Sequence, residues 1–456
     1  MSEPILNVKI VGYTNCGEAI CAAGGRISTL SGNTMEILDK STDPVKNAAL
    51  IGKVTASGHT SVIEHISFNL AFTNVSVLVE QFIIEFRLAS FTVKSRRYVD
   101  FSDAGFYIPN FSDGGERDRF IHVMRSRFED YSRLTALGIP KEDARFVLPY
   151  CFYSNFLCTL NGRELYHVLE AMLFGRGAFY PEIQTLGVQL LEQAKNIASG
   201  TFGSFMEQPH PTEDGTLPGL ALPALANESI PESKKVELLS HTPEPEKVVA
   251  QTALIDFTRS STAAINTMTE DPSARDTVLD HVMRSSRPRA LENVSFTFRL
   301  NGLSLAGITH LVRHRMQSVM IPPLRAADPR RHMIPESVRA NAKAFQIYTE
   351  AFREAADYHR IAPESVKAYA LLSGAALDPV VTMNGRELLL FLRLRTCNRA
   401  QWEIRAYAVE MLLTLRRISP ALFSHYGPSC CVLDHCPEGR LSCGKMKEVR
   451  EQFKAQ

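Results

Sequence analysis

Residues 64–90 read EHISFNLAFTNVSVLVEQFIIEFRLAS, and residues 292–318 read ENVSFTFRLNGLSLAGITHLVRHRMQS. Without a gap, Glu64 falls on Glu292, Ser67 on Ser295, Phe68 on Phe296, Ser76 on Ser304, Arg87 on Arg315 and Ser90 on Ser318. A second pair follows in the same order: LNGREL at 160–165 and MNGREL at 383–388. Two matching blocks at nearly equal spacing are the mark of an internal repeat, which sets the whole architecture. The chain is read as two copies of a unit of about 200 residues, an ordinary domain size. The first copy covers 1–206 and the second 239–456. Between them, 207–238 is a linker, because Pro209, Pro211, Pro218, Pro223 and Pro231 crowd one short stretch.

Each copy alternates strand and helix signals. Residues 66–72 alternate apolar and polar as a strand does, and 294–299 match them. Residues 76–89 and 304–320 read as helices, the second with Leu305, Ile308, Leu311, Val312 and Met316 at helical spacing. Asn161 and Asn384 stand where N-caps belong, and 396–417 continues as helix. The fold class is therefore α/β (α+β), with helices beside a central sheet in each copy.

Composition narrows the function. The chain has 456 residues, and 50 Lys+Arg against 49 Asp+Glu leave a net charge of +1, which excludes a globally basic nucleic-acid binder. No run of about 20 apolar residues is present, so no membrane helix is expected. The first residues lack the pattern of a secretory signal. Nine cysteines are an odd, modest number, which suits a reducing, cytoplasmic compartment. Cys430, Cys431, Cys436 and Cys443 cluster with His435 but lack paired CxxC spacing, so free thiols are expected and no metal. Glycine fingerprints for dinucleotides or phosphates, GxGxxG and GxxxxGK[ST], are absent, as is a GxSxG elbow.

Three clusters could carry chemistry. Arg313-His314-Arg315 sets two guanidiniums beside an imidazole, which suits an anion, although a solvated basic helix end has the same composition. Ser95-Arg96-Arg97-Tyr98 offers hydroxyl, guanidinium and phenol for a nucleotide. Asn161-Gly162-Arg163 and Asn384-Gly385-Arg386 open helices, where backbone N–H groups meet anions or are simply capped. Arg395 lies nine residues after Arg386, which puts the two on opposite sides of one helix.

Together these blocks resemble the flavin-dependent (alternative) thymidylate synthases. That family combines Arg-His-Arg, a Ser, Ser-x-Arg-Tyr, an upstream Gly-His…Glu-His segment and a downstream Asn-x-Arg-Glu-Leu helix near Ala-Gln-Trp-Glu. The corresponding residues are Gly58-His59, Glu64-His65 and Ser95–Tyr98 in the first copy. In the second they are Arg313–Arg315, Ser318, Asn384–Leu388 and Ala400–Glu403, with a family-like tail from Gly427 to Gly439. The resemblance implies reductive methylation of dUMP to dTMP, with FAD as cofactor and methylenetetrahydrofolate and NADPH as co-substrates. It also implies a homotetramer whose sites form at subunit interfaces.

Carried over residue by residue, the resemblance makes Arg395 the catalytic group beside the pyrimidine. It places Ser95, Arg96, Arg97, Arg145, Arg313 and His310 on the substrate. Ser61, Glu64, Asn161, Arg163, His167, Arg313, His314 and Arg315 fall on the flavin. The copies depart from the pattern in different places. The first has Glu85-Phe86-Arg87 for the triplet and Met172 where Arg395 aligns. The second has Pro323 for Ser95, Ala368 for Arg145, Arg289 for Ser61 and Leu390 for His167. The surviving sets are complementary, which implies composite sites and a homodimer standing in for the family tetramer. Val93 and His310 replace a common Glu and Gln, so C5 methylation of another uridine nucleotide is the alternative activity. A flavin- or nucleotide-binding pseudoenzyme is the non-enzymatic one.

Overall fold

The computed structural model describes residues 7–210, 234–433 and 435–454. Most of the expected linker, 211–233, lies outside the described residues. Two compact units are present: Met1–Pro223 with Ile334–Gly374, and Ala224–Met333 with Ala375–Gln456. The stretch 334–374, second-copy by sequence, thus belongs to the unit built around the first copy.

The first unit holds a four-stranded antiparallel sheet of β1 (Asn7–Tyr13), β2 (Ser67–Ser76), β3 (Ser90–Val93) and β4 (Tyr153–Asn161), in the order β1-β2-β4-β3. The second repeats it with β5 (Val236–His241), β6 (Ser295–Leu300), β8 (Ser318–Met320) and β10 (Val380–Asn384), in the order β5-β6-β10-β8. A short pair, β7 (Leu303–Ser304) with β9 (Ala376–Leu377), adds to the second unit. Alternation does what the sequence promised. Phe68, Leu70 and Phe72 of β2 are buried, as are Phe296, Phe298 and Leu300 of β6.

The duplication extends to single residues. Ser67 pairs with Asn161 and Ser295 with Asn384. Asn74 and Gly302, equivalent positions, both take positive φ, at 54° and 75°. Just beyond, Ser76 caps the helix α1 (Val77–Ile84) by accepting from the Val79 amide at 3.2 Å. It also donates its own amide and hydroxyl to buried Glu182, at 2.8 and 2.6 Å. Ser304 does the same for α3 (Leu305–Leu311), with Glu403 at 2.7 and 2.5 Å. Burial raises the Glu182 carboxyl to about 7.

Asn161 caps α2 (Gly162–Leu173), accepting from the Glu164 amide at 2.9 Å, and Asn384 caps α4 (Gly385–Arg395), accepting from the Glu387 amide at 2.8 Å. Both caps were legible in sequence. The glycine between Asn and Arg has a steric reason. A Cβ on Gly162 would lie 2.5 Å from the Ile63 carbonyl, and one on Gly385 2.8 Å from that of Leu291. Only glycine lets the helix start so close to the preceding turn.

Three helix readings need correction. The stretch 304–320 is helical only to Leu311, and Ser318–Met320 is a strand paired with Val380–Thr382. The first copy likewise stops its helix at Ile84 and forms β3. Edge pairing with a neighbouring strand outweighs local helical periodicity here. Similarly, α4 ends at Arg395 and a new helix, α5, begins at Trp402 and runs to Ile418, so 396–417 is broken. Gln401 caps the restart by accepting from the Ile404 amide at 3.0 Å. Among the described residues no helix is long and apolar enough to cross a membrane.

Candidate functional site

In the second unit, the helix end at Leu311 delivers Arg313, His314 and Arg315 on a short connection before β8. Arg313 and Arg315 are exposed, whereas His314 is 5 % exposed. The imidazole turns inward because α4 supplies partners at both of its ends. His314 Nδ1 lies 3.1 Å from Glu387 Oε1, and Arg395 donates Nε–H to His314 Nε2 at 2.9 Å. Arg395 also donates to the His310 carbonyl at 3.1 Å. Phe391, one turn before Arg395, meets the imidazole edge-on with centroids 4.8 Å apart. Burial pushes the His314 pKa below its ordinary value. Arg386 and Arg395 do share one helix, as expected.

The first copy fills the same place differently. Met172 is fully buried. Glu85 pairs with Arg176, whose guanidinium lies over the Phe82 and Phe86 rings at 4.6 and 5.7 Å. Glu164, the equivalent of Glu387, accepts the Leu88 amide at 3.2 Å.

What the first unit does assemble is a second cluster. Arg97 Nε lies 2.5 Å from Glu142 Oε1, and Arg145 Nε donates to the Glu142 carbonyl at 3.0 Å. The Ser95 hydroxyl accepts the Arg97 amide at 3.4 Å. Ser95, Arg97 and Arg145 are therefore neighbours, a grouping suited to a phosphate.

Arg96 is the exception among the expected substrate residues. Its side chain is buried against Glu80, which also accepts from Ser154. Adjacent turn residues point different ways, and Arg96 points into the core. We expect Arg96→Ala to lower stability by about 3–5 kcal/mol, because it strands a buried carboxylate. Urea unfolding checks this. An unchanged midpoint with weakened nucleotide binding would return Arg96 to the substrate.

The third cluster lines the turn Thr60–His65 and the start of α2. Arg163 donates to Glu64 at 2.7 Å, and both are near the surface with Ser61 and His167. The Glu164 carboxylate, as acceptor for the imidazole N–H, raises the His167 pKa. Arg163 Nε is buried without a hydrogen-bond partner, so this cluster keeps a donor to offer a polar ligand. In the second unit the equivalent turn borders a cavity of about 790 Å³, lined among others by Asp256, His281, Arg287, Arg289 and Glu292. There Arg289 sits 3.3 Å from Glu292, where the first copy has Ser61 beside Glu64.

His314 was expected on the flavin, but both ring nitrogens are engaged by protein groups. Its partner Glu387 was missed by sequence reasoning. The signal was there: the pentapeptide NGREL carries a Glu in both copies, while only the second copy has a His and an Arg to meet it. The four tail cysteines are free thiols, and among the described residues no His, Cys, Asp or Glu group could hold a metal ion.

The thymidylate synthase complementing protein family matches this chain twice, over residues 9–198 and 237–421. The chain belongs to the flavin-dependent thymidylate synthase family. Its two matched segments agree with the tandem units read from the repeat. Flavin-dependent thymidylate synthases from Geobacter sulfurreducens and Clostridium tetani are 38 % and 34 % identical to it over 231 and 244 residues. Each alignment uses 48 % of this chain and nearly all of the relative, 98 % and 96 %. A solved structure of the UMP/dUMP methylase PolB from Streptomyces cacaoi bound with 5-Br dUMP aligns with 44 % of this chain and 95 % of its own, at 24 % identity and a TM-score of 0.38.

Proposed function

We propose that the protein is an FAD-dependent thymidylate synthase, methylating dUMP at C5 with methylenetetrahydrofolate as carbon donor and NADPH as reductant. The observation that carries this reading is the division of the residue set. The second copy keeps Arg395 held by His314, with Arg313 and Arg315 beside it. The first keeps the Ser95–Arg97–Arg145 cluster and the Ser61–Glu64–Arg163–His167 face. Neither copy alone keeps the whole set, and the two kept sets are complementary.

Uracil C5 is a poor nucleophile. A guanidinium over the ring stabilises negative charge as N3 ionises and so raises electron density at C5. Arg395 is assigned that role. Arg97, Arg145 and Arg313 hold the phosphate and fix the ring, the proximity contribution. Ser95 is assigned as a contact and not a nucleophile, since the sequence identifies no general base for it. Asn161 is occupied in capping α2, so its share in cofactor binding passes through the helix start it fixes. Ser61, Glu64, Arg163 and His167 are the residues that would hold a flavin, which when bound would supply the hydride, and the unpartnered Arg163 Nε fits that task.

Val93 and His310 favour a second reading, methylation of another uridine nucleotide such as UMP. The test is release of tritium from [5-³H]dUMP and from [5-³H]UMP with FAD, NADPH and methylenetetrahydrofolate. Release from dUMP that needs both flavin and folate is the expected result. Release from UMP alone would select the second reading, and flavin binding without release from either would indicate a pseudoenzyme.

A further inference from the structure

We infer that His314 is a positioning residue: a neutral imidazole, protonated on Nδ1 and anchored by Glu387, whose Nε2 lone pair aims Arg395. The relay itself stands on geometry; the task given to Arg395 rests on the function proposed above.

The donor and acceptor inventory fixes the tautomer. An arginine Nε–H can only donate, so the nitrogen facing it at 2.9 Å must carry the lone pair. The remaining proton is then on Nδ1, where the Glu387 carboxylate accepts it at 3.1 Å. His314 and Glu387 are each 5 % exposed, so the pair is shielded from water and its geometry is stiff. The imidazole has no nitrogen left to offer a ligand. Its effect on a substrate must pass through Arg395.

The first copy supplies the internal control. Phe86 and Met172 stand where His314 and Arg395 do, so both members of the relay are absent together. Glu164 persists there and serves a backbone amide instead. A histidine kept only for packing has no reason to vanish with the arginine.

The charged groups around the imidazole are Glu387 and Arg395 from α4 and the adjacent Arg313 and Arg315, both exposed. The His310 carbonyl meets Arg395. Burial, with the Arg395 charge, lowers the His314 pKa against the opposing pull of Glu387, and the lowered pKa favours the neutral imidazole. Protonation would put an N–H on Nε2, donor against donor and cation against cation. The relay should therefore fail as pH falls below the ordinary histidine value of about 6.5. The loss should appear in kcat more than in KM.

Two variants separate positioning from packing. His314→Phe copies the first copy's own residue and is expected to lower kcat about 100-fold, the scale of a misplaced group. His314→Gln restores an acceptor near the Nε2 position. It should recover kcat to within about tenfold of the parent, and its acid limb should be gone because the imidazole that titrated is gone. A Gln variant as poor as the Phe variant, or one that keeps the acid limb, overturns the inference. So does a Phe variant of normal kcat. Nitrogen-15 spectra of histidine-labelled full-length protein test the relay without turnover. The signal lost in His314→Gln should report protonated Nδ1 and bare Nε2 at neutral pH; the opposite tautomer overturns the inference. The expected tautomer in a protein that releases no tritium would overturn the proposed reaction and leave the relay standing.

Discussion

Arg395→Met is expected to lower kcat for dUMP methylation by about a thousandfold, the upper range for removing one group aimed at developing charge. The substitution is the first copy's own solution, since Met172 is fully buried at the equivalent position. The equivalent helix of the first copy thus carries methionine at this position. Flavin binding should persist, because the residues assigned to the cofactor lie mainly on the Thr60–His65 turn and the start of α2. Steady-state tritium release gives kcat, and absorbance of the purified protein gives flavin content. Arg395→Lys should rescue little. Lysine keeps the charge but loses the planar Nε–H that His314 receives. Normal turnover in the Met variant would remove Arg395 from the mechanism.

Arg97→Ala is expected to raise KM for dUMP by about 30- to 100-fold, the equivalent of losing roughly 2–3 kcal/mol from a charge-assisted phosphate contact. In the structure, Arg97 holds Glu142, so the phosphate must share or displace that carboxylate. The effect should be specific to the phosphate. Competition by deoxyuridine, which lacks it, should be unchanged in the variant. An equal weakening of deoxyuridine would mean that Arg97 shapes the pocket and does not bind the anion.

Much of this fold was legible because it is present twice. Repeated Asn caps and strands that alternate apolar and polar residues are local signals, and each appears in both copies. What failed was decided by distant residues. The helix after Ser304 stops at Leu311 because the following segment pairs with a strand more than 60 residues downstream. Arg96 looked like part of a nucleotide motif, but its partner Glu80 was invisible to a reading of the tetrapeptide alone. His314 was placed on the flavin by the family resemblance alone. Only the fold shows Glu387 and Arg395 closing on it from two ends of one helix.

The composition of the first compact unit has a consequence for synthesis. Its helix Gly114–Ala136 packs against Ala342–Ile361, with Arg127 bonded to the Ala351 carbonyl and Glu354, and Phe120 meeting Tyr358. At roughly 5–20 residues per second, a ribosome needs on the order of ten seconds to travel from the end of the unit's first segment to the end of its second. Throughout that interval the face of this helix that meets Tyr358 lacks its partner. The first unit is therefore complete only after the ribosome has read well into the second copy. A single break in the message near the proline-rich stretch would yield two products, each missing or carrying a piece that belongs with the other.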